Sequence, residues 1–373
     1  MARLDQICKL NMGQSPDSSS YNENKIGMPF FQGNADFGTL HPTVRIWCSA
    51  PTKVANPGDI LISVRAPIGA LNIANVECCI GRGLAALTVD ERKCKKEYLW
   101  HAISSKVDEL NSKGTGSTFK AISKNILAET EIPLPNLDMQ THIAAVLDEI
   151  DNLISFRKQQ LAKLDELVKS RFIELFGDPM TNSKGHTLKK YGDLFELNAG
   201  GTPSKQKSEY WDNGTISWIG SNMCQNTVIY ENDGNYITEE GLKHSSARMF
   251  PVDTVLIALV GATIGKTALL KFETTTNQNV LGVRGIRESG YTPEFIFYYT
   301  QGLYQKFLNI GDGGFAMASK GFISELPIPI VDLELQEQFA AFVEQTDKSK
   351  LAIQQSLNKL EILKKALMQK YFG

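Results

Sequence analysis

Residues 140–177 read QTHIAAVLDEIDNLISFRKQQLAKLDELVKSRFIELFG, and residues 336–373 read QEQFAAFVEQTDKSKLAIQQSLNKLEILKKALMQKYFG. The two stretches align at a constant offset of 196 without a gap and share 12 identities in 38 positions. A repeat of half the chain length exceeds the periods of about 20–50 residues that build solenoids. The alignment therefore predicts two copies of a whole domain, each followed by a long helix. Such a chain presents two related surfaces to a partner with two related sites.

The composition is that of a folded, soluble protein with room for two domains, since 42% of the 373 residues are hydrophobic and 21% are charged. A net charge of -2 neither suggests nor excludes a nucleic-acid partner, because binding depends on a local basic surface. The six cysteines form no C-x-x-C pair, which favours reduced, buried thiols in a cytoplasmic protein over a zinc site or a disulfide framework. We expect no signal peptide, because Asp5 interrupts the start of the chain, and no membrane span, because no apolar run approaches about 18 residues.

Shorter repeats extend the duplication into the domains. The paired segments are 10–16 with 197–203, 57–62 with 251–256, 119–124 with 315–320, and 132–135 with 326–329. The second pair reads as a turn that leads into a short buried strand. The last pair has proline at every second position, which disfavours helix and predicts an extended exit from each domain.

The long helices follow these exits. No glycine or proline occurs from Met139 to Phe176, and good helix formers dominate that stretch. Gly177 and Pro179 then provide a left-handed cap and a stop. The predicted order is a domain over 1–136, a helix over 137–177, a linker over 178–186, a domain over 187–332 and a helix over 333–373.

Apolar residues at seven-residue spacing mark one face of each helix, and each face is interrupted by charged residues at different places. We expect the two faces to pack on one another, although packing on separate partners or in a homodimer is the alternative. The predicted seam consists of Leu147, Ile150, Ile154, Leu161, Leu164, Val168, Val343, Ile353, Leu357, Leu360 and Leu367.

The segment 261–267, Gly-Ala-Thr-Ile-Gly-Lys-Thr, resembles a phosphate-binding P-loop. That motif needs four residues between its glycines, and here there are three. The matching segment 65–71 lacks the Lys-Thr pair altogether. We therefore expect a strand, a tight turn and a second strand, with nucleotide binding at Lys266 as the minor alternative.

Catalytic motifs are missing from the sequence. The five histidines show no i, i+4 metal pairing, and neither a G-x-S-x-G elbow nor a G-x-G-x-x-G fingerprint occurs. The segment 277–279, Asn-Gln-Asn, could place amides against adenine edges, or could be a turn capped by its own side chains.

Basic and amide residues in loops are candidate contacts to DNA phosphates and bases, although any single one can be an ordinary surface charge. They are Arg45, Arg65, Arg82, Lys113 and Lys120 in the first domain, and Lys205, Lys207, Arg248, Lys266, Asn277, Gln278, Arg284 and Lys320 in the second.

The chain resembles the specificity subunit of type I restriction-modification enzymes, the HsdS family. The resemblance rests on Gly200-Gly201-Thr202-Pro203-Ser204, on 261–267, on Asn277-Gln278, on 119–124, on the Ile-Pro-Leu-Pro exit and on the helix that ends in Phe-Gly, in this order and twice. It implies an α+β fold with two tandem mixed α/β target-recognition domains, separated by two long antiparallel coiled-coil helices in a pseudo-twofold internal repeat.

The resemblance also implies a non-catalytic role. Each domain would read one half of a split double-stranded DNA target, and the helices would set the spacer. Two methyltransferase subunits would dock on the chain, and restriction subunits would join them. S-adenosylmethionine, ATP and Mg would then belong to the partner subunits, with no cofactor or metal in this chain.

The two copies differ where the family motifs lie. The first has Gly69-Ala70-Leu71 and Gly81-Arg82 where the second has Gly-Lys-Thr and Asn-Gln. The two domains should therefore read different bases and give an asymmetric bipartite target. The alternatives are a P-loop-like nucleotide-binding enzyme and a coiled-coil scaffold that does not bind DNA.

Overall fold

The computed structural model describes residues 1–116, 120–310 and 317–373. It divides into two compact units. The first unit is Met1–Lys158 with Gln355–Gly373, and the second unit is Gln159–Gln354. Each unit therefore contains one domain together with half of each long helix, because each helix half buries its apolar face within that unit. This division differs from the predicted one, in which the helices were separate from the domains.

In the part of the first unit that the structure describes there are eleven short strands and four short α-helices. The strands are β1 (Ala2–Arg3), β2 (Cys8–Met12), β3 (Tyr21–Asn22), β4 (Met28–Phe31), β5 (Ile46–Cys48), β6 (Val54–Ala55), β7 (Ile60–Ser63), β8 (Leu71–Ile73), β9 (Cys78–Ile80), β10 (Leu84–Val89) and β11 (Glu131–Ile132). The helices are α1 (Leu4–Ile7), α2 (Lys96–Ser104), α3 (Val107–Lys113) and α4 (Lys124–Ala128). The first long helix, α5, spans Leu137–Phe176.

The second unit repeats this pattern. Its strands are β12 (Leu188–Lys190), β13 (Glu196–Ala199), β14 (Ile216–Ile219), β15 (Thr227–Ile229), β16 (Tyr236–Ile237), β17 (Met249–Phe250), β18 (Val255–Ala258), β19 (Thr267–Leu270), β20 (Thr274–Thr276), β21 (Val280–Arg284) and β22 (Pro327–Pro329). Its helices are α6 (Tyr191–Leu194), α7 (Glu239–Lys243), α8 (Pro293–Gly302), α9 (Tyr304–Leu308) and α10 (Lys320–Ser324). The second long helix, α11, spans Leu333–Phe372.

Each unit is built on a main antiparallel sheet of the same topology. The strand order is β2-β10-β7-β8 in the first unit and β13-β21-β18-β19 in the second, where β15 adds a parallel edge strand. A second sheet lies in each unit, with a parallel pair at its centre, β4 with β9 and β14 with β20. The continuous apolar runs of β7 and β18 are buried along their whole length, as expected for short core strands. The predicted α+β class is therefore confirmed.

The structure shifts one of the sequence alignments by a single residue. The ungapped alignment paired Gly58 with Val252, but the hydrogen bonds pair Gly58 with Asp253. The N–H of Gly58 donates to the carbonyl of Ala74 at 2.8 Å, and that of Asp253 donates to the carbonyl of Leu270 at 2.9 Å. Both residues are left-handed, with φ of +90° and +66°. Aspartate tolerates this conformation better than most residues, which hid the equivalence in the sequence.

Two glutamines that are identical in the repeat explain how each long helix is fixed to its unit. Gln140 and Gln336 are fully buried at the starts of α5 and α11. The amide of Gln140 accepts from the N–H of Lys95 at 2.8 Å and donates to the carbonyls of Lys93 and Pro135. Gln336 makes the same three bonds, with the N–H of Thr292 at 3.0 Å and with two carbonyls. Each glutamine therefore joins its helix to the loop before α2 or α8.

The far end of each helix carries a buried phenylalanine of the repeat. Phe372 packs on Tyr98 in the first unit, with ring centroids 5.3 Å apart. Phe176 packs on Phe295 in the second unit at 4.8 Å. Gly177 follows with a φ of +83°, and its N–H donates to the carbonyl of Ile173, which ends α5 as expected.

The long helices run antiparallel within each unit. In the first unit, the ion pairs Asp151–Lys364 at 2.5 Å and Lys158–Glu361 at 3.3 Å join them. In the second, Lys350 pairs with Asp165 at 2.7 Å. All eleven residues of the predicted seam are buried or half-buried. The packing of the two helices on each other is the arrangement that the sequence favoured over separate partners.

Candidate nucleic-acid interface

Loops from several strands meet at one end of the main sheet in each unit. In the first unit, β2 ends and β10 begins there, since Met12 pairs with Ala85, and β7 ends beside them, since Ser63 pairs with Leu84. In the second unit, β13, β21 and β18 meet in the same way. We call these regions the loop ends. Their segments are 13–17, 64–70, 81–83 and 120–121 in the first unit, and 200–207, 259–266, 277–279 and 317–320 in the second.

Backbone hydrogen bonds hold the loops together at each loop end. The N–H of Ala66 donates to the carbonyl of Lys120 at 3.0 Å, and Arg65 forms an antiparallel bridge with Ala121. In the second unit, the N–H of Ala318 donates to the carbonyl of Leu259 at 2.8 Å, and Val260 bridges Met317. Because main-chain bonds carry the arrangement, the side chains of these loops can vary without changing the framework.

The first loop end contains a cleft of about 320 Å³ that brings together three of the five predicted basic residues, Arg45, Arg65 and Arg82. Phe30, Gln32 and Asn34 line its other walls. The cleft therefore combines a basic rim with an aromatic ring and amide groups, which is a combination that suits contact with nucleic-acid backbone and bases.

A carboxylate fixes one of the three arginines. Asp36 is buried, and its Oδ1 accepts from both Nε and Nη2 of Arg45. The Oδ2 of Asp36 accepts from the N–H of Gln32 at 2.8 Å, which orients the carboxylate. Arg65 and Arg82 are exposed and form no ion pair with any residue that the structure describes. Two guanidinium groups at the cleft are therefore available to a ligand.

Two lysines extend this basic surface. Lys120 is exposed next to the bridge between Arg65 and Ala121. Lys113, the last residue of α3, pairs with Glu109 at 2.6 Å, and this hydrogen bond lowers the pKa of the Glu109 carboxyl. Part of the charge of Lys113 is therefore compensated, while that of Lys120 is not paired within the described residues.

In the second unit, two tryptophans hold the loop that carries Lys205 and Lys207. The indole Nε1 of Trp218 donates to the carbonyl of Gly201, and that of Trp211 donates to the carbonyl of Ser204, both at 3.1 Å. Lys207 donates to the hydroxyl of Tyr210 at 2.9 Å, which raises the pKa of the ammonium group. Lys205 is exposed on the same loop.

The amide segment 277–279 forms the self-capped turn that was one of its two predicted readings. The Oδ1 of Asn277 accepts from the N–H of Asn279 at 3.0 Å, so Asn277 caps its own turn. Gln278 is exposed, and its Oε1 accepts from the hydroxyl of Thr202 at 2.5 Å. Gln278 is therefore the most exposed amide of the three.

The segment 261–267 is not a P-loop. A P-loop leads into a helix, whereas here β18 is followed by a single 3-10 turn, Gly261–Thr263, and then by β19. Thr267 is buried against Asn226, and the Nζ of Lys266 donates to Gln225 at 2.9 Å. Gly265 is required by packing, because its φ is +74° and a Cβ would lie 2.5 Å from Cγ of Phe307. The expected strand, turn and strand are present.

The remaining basic candidates divide between the two ends of the sheet. Arg248, just before β17, donates to Oδ1 of Asn198, and Lys320 begins α10 close to the bridge at Met317. Arg284 lies at the opposite end of β21, where it faces Glu196 at 3.8 Å. Because an antiparallel strand rises about 3.4 Å per residue, four residues place Arg284 about 14 Å along the strand from Val280. Arg284 therefore does not lie at the loop end with the other candidates.

Comparison with known proteins assigns the two domains that carry these surfaces to a family. The profile of the type I restriction modification DNA specificity domain matches residues 1–166 and 184–362, one match for each domain. The chain belongs to this family.

Two curated specificity subunits of Methanocaldococcus jannaschii are similar to the chain. It is 42% identical over 165 residues to the putative type I restriction enzyme MjaX specificity subunit, a match that covers 44% of this chain and 39% of that protein. It is 25% identical over 260 residues to the MjaIX specificity subunit, with coverages of 64% and 60%. The chain thus aligns with less than two thirds of the length of either relative.

A solved structure shares the fold. The crystal structure of the S subunit of a type I restriction-modification system from M. genitalium superposes with a TM-score of 0.62, covering 100% of this chain and 95% of that chain at 16% identity. The two tandem specificity domains and the two long helices therefore form a fold that is already known.

Some specificity-domain residues at the loop ends were missed by sequence reasoning. Gln32 and Asn34 line the basic cleft, and Trp211 and Trp218 hold the loop at 200–207. Most of the predicted candidates are basic residues, and apart from Asn277 and Gln278 no amide or aromatic side chain was among them, although such side chains also contact nucleic acids. Phe119 and Phe315, which begin one of the repeated segments, lie outside the described residues.

The described residues contain no group of three or more His, Cys, Asp or Glu side chains that could hold a metal ion. All six cysteines are buried and unpaired, and burial raises the pKa of Cys8, Cys78, Cys94 and Cys224 to about 12. Among the described residues, no helix is both long enough and apolar enough to cross a membrane.

Proposed function

We propose that the chain is the DNA sequence-specificity subunit of a type I restriction-modification complex. Each unit reads one half of an asymmetric bipartite double-stranded target through its loop end. The chain itself is not an enzyme; it directs the chemistry of a site-specific deoxyribonuclease and adenine methyltransferase complex in the cytoplasm.

One observation carries this proposal: a single chain contains two domains of a DNA-specificity family whose loop ends share a backbone framework and differ in side chains. Shared main-chain bonds suit a common docking geometry, while different side chains suit different base sequences. Arg65 and Arg82 in the first unit are replaced by Val260 and Gln278 in the second, which supports two unlike half-sites.

The helices set the unread spacer and dock two methyltransferase subunits, which restriction subunits then join. Large apolar side chains remain exposed on both helices, including Phe156 at 54%, Leu351 at 61% and Ile362 at 70%. Exposed apolar groups of this size suit protein contacts. S-adenosylmethionine, ATP and Mg belong to those subunits, and this chain binds none of them.

Footprinting of the complex between this chain and its methyltransferase subunits tests the proposal. We expect two protected patches that are separated by an unprotected spacer. One continuous protected site would contradict two separate reading domains. If the complex instead shows no salt-dependent affinity for DNA, the scaffold alternative is supported, because contacts with DNA phosphates release counterions and weaken as salt is raised.

The spacer role has its own test. Deleting one heptad from α5 together with the facing heptad of α11 shortens the paired helices by about 10 Å. At 3.4 Å per base pair, the spacer should shorten by about three base pairs in the footprint. An unchanged spacer would show that the helices do not set it.

A further inference from the structure

Arg82 and Gln278 occupy the same position of the framework in the two units. Just before them, the N–H of Gln14 donates to the carbonyl of Ile80 at 3.0 Å, and the N–H of Gly201 donates to that of Thr276 at 2.8 Å. Just after them, the N–H of Gly13 donates to the carbonyl of Leu84, and that of Gly200 to Val280. Three residues lie between the two anchor points in each unit, with Arg82 and Gln278 in the middle.

Two further bonds match on the other side of the loop. The N–H of Val64 donates to the carbonyl of Gly83 at 2.9 Å, and the N–H of Leu259 donates to that of Asn279 at 2.8 Å. The main chains at Arg82 and Gln278 are thus fixed from both neighbouring strands. Arg82 and Gln278 are therefore different side chains at the same position of a shared backbone framework.

Hydroxyl groups at equivalent positions contact the two residues, at the main chain of Arg82 and at the side chain of Gln278. Ser15 accepts from the N–H of Arg82 at 3.3 Å, whereas Thr202 donates to Oε1 of Gln278 at 2.5 Å. Arg82 keeps its whole guanidinium group for a ligand, since it forms no ion pair within the described residues. Gln278 keeps both N–H groups of its amide and one lone pair of Oε1, with the amide oriented by Thr202.

The chemistry of the two side chains selects different bases. A guanidinium group matches O6 and N7 of guanine in the major groove, and a glutamine amide matches N6 and N7 of adenine. We infer that Arg82 and Gln278 are equivalent specificity-determining residues, Arg82 reading a guanine in one half-site and Gln278 reading an adenine at the corresponding position of the other. This inference rests on the proposed function and assigns bases to its two reading surfaces.

The test is selection of bound sequences from a pool of double-stranded DNA with a randomised region of about 30 base pairs. The full chain in complex with its methyltransferase subunits is compared with the Arg82→Ala and Gln278→Ala variants. Arg82→Ala should remove a guanine preference of about 5- to 150-fold at one position of one half-site. Gln278→Ala should remove an adenine preference of similar size in the other half-site only.

The exchanged variants test the equivalence directly. Arg82→Gln should convert the guanine preference to adenine, and Gln278→Arg should convert adenine to guanine. Arg92→Ala and Gln305→Ala are the matched controls. Arg92 follows β10 at the opposite end of the sheet, with its side chain 88% exposed, and Gln305 is exposed on α9, so neither should alter the motif.

The outcomes separate the inference from the proposed function. If the unaltered complex selects no bipartite motif, the proposed function itself fails. If it selects one, the inference is overturned when the alanine variants change no position, change both halves together, or remove a base other than guanine for Arg82 and adenine for Gln278. Unfolding midpoints equal to that of the unaltered chain show that a changed motif does not come from misfolding.

Discussion

Replacing Gln140 with methionine should destabilise the first unit strongly. Methionine keeps the unbranched shape of the side chain and removes its three hydrogen bonds. The change leaves the N–H of Lys95 and the carbonyls of Lys93 and Pro135 without the partner they have in the folded chain. A buried polar group that loses its partner costs about 1–3 kcal/mol.

Three such groups at the lower limit amount to about 3 kcal/mol of unfolding free energy. A loss of this size lowers the midpoint of thermal unfolding by about 6–12 °C for a unit of this size. The assay is urea unfolding followed by tryptophan fluorescence, in which Trp47 and Trp100 report on the first unit and Trp211 and Trp218 on the second. Gln336→Met should produce a similar loss in the second unit, because Gln336 makes the same three bonds.

The control is Gln159→Met. Gln159 recurs as Gln355 in the repeat, as Gln140 recurs as Gln336, but both Gln159 and Gln355 are exposed. Its replacement should change the unfolding free energy by less than about 0.5 kcal/mol. If Gln140→Met unfolds like the unaltered chain, or if Gln159→Met costs as much, the buried hydrogen bonds are not what fixes the helix to its unit.

Trp218→Phe removes the hydrogen bond from the indole to the carbonyl of Gly201 and should weaken DNA binding at one half-site by about 1 kcal/mol, as measured by gel shift on the cognate target. The control Trp47→Phe, in the other unit, should leave binding at that half-site unchanged. Equal effects of the two substitutions would contradict the positioning role of Trp218. Gly265→Ala should cost at least about 2 kcal/mol in urea unfolding because it combines left-handed strain with a clash against Phe307, whereas Gly261→Ala, with φ of +67° and no atom within 4 Å, should cost only the backbone strain of about 1–2 kcal/mol. Burial raises the pKa of the Cys8, Cys78, Cys94 and Cys224 thiols to about 12. Their contribution to the free energy of unfolding is therefore complete below about pH 9 and is lost as the pH rises towards 12. The loss is about 1.4 kcal/mol per pH unit for each thiol that ionises only in the unfolded chain. The urea concentration at the unfolding midpoint should therefore be lower at pH 10 than at pH 8. A thiol reagent at pH 8 should label these cysteines only after the chain unfolds, and rapid labelling of the folded chain would contradict the burial.

Much of the candidate interface depends on contacts between residues that are distant in the sequence. Phe30 lies on β4 of the second sheet, whereas Arg65 follows β7 of the main sheet and Arg82 lies in the loop between β9 and β10, so only folding places them around one cleft. Arg284 is the opposite case, a predicted contact that the fold places away from the loop end. Its charge made it a candidate, but the sequence does not show at which end of an antiparallel strand a residue lies until the pairing of β21 is known.

The sequence alone determined the duplication, the two long helices and the extended exits, because these depend on local signals: heptad spacing, a stretch without glycine or proline, and alternating prolines. It also carried the family, since short motifs that are weak separately recur in the same order in both copies. Tertiary structure decided which of the residues that are identical in the two copies stabilise the fold. Gln140 and Gln159 are equally conserved between the two copies, yet only Gln140 is buried and bonded. The physical reason is that the cost of a polar group depends on whether water can reach it, and burial is a property of the folded chain and not of the residue type.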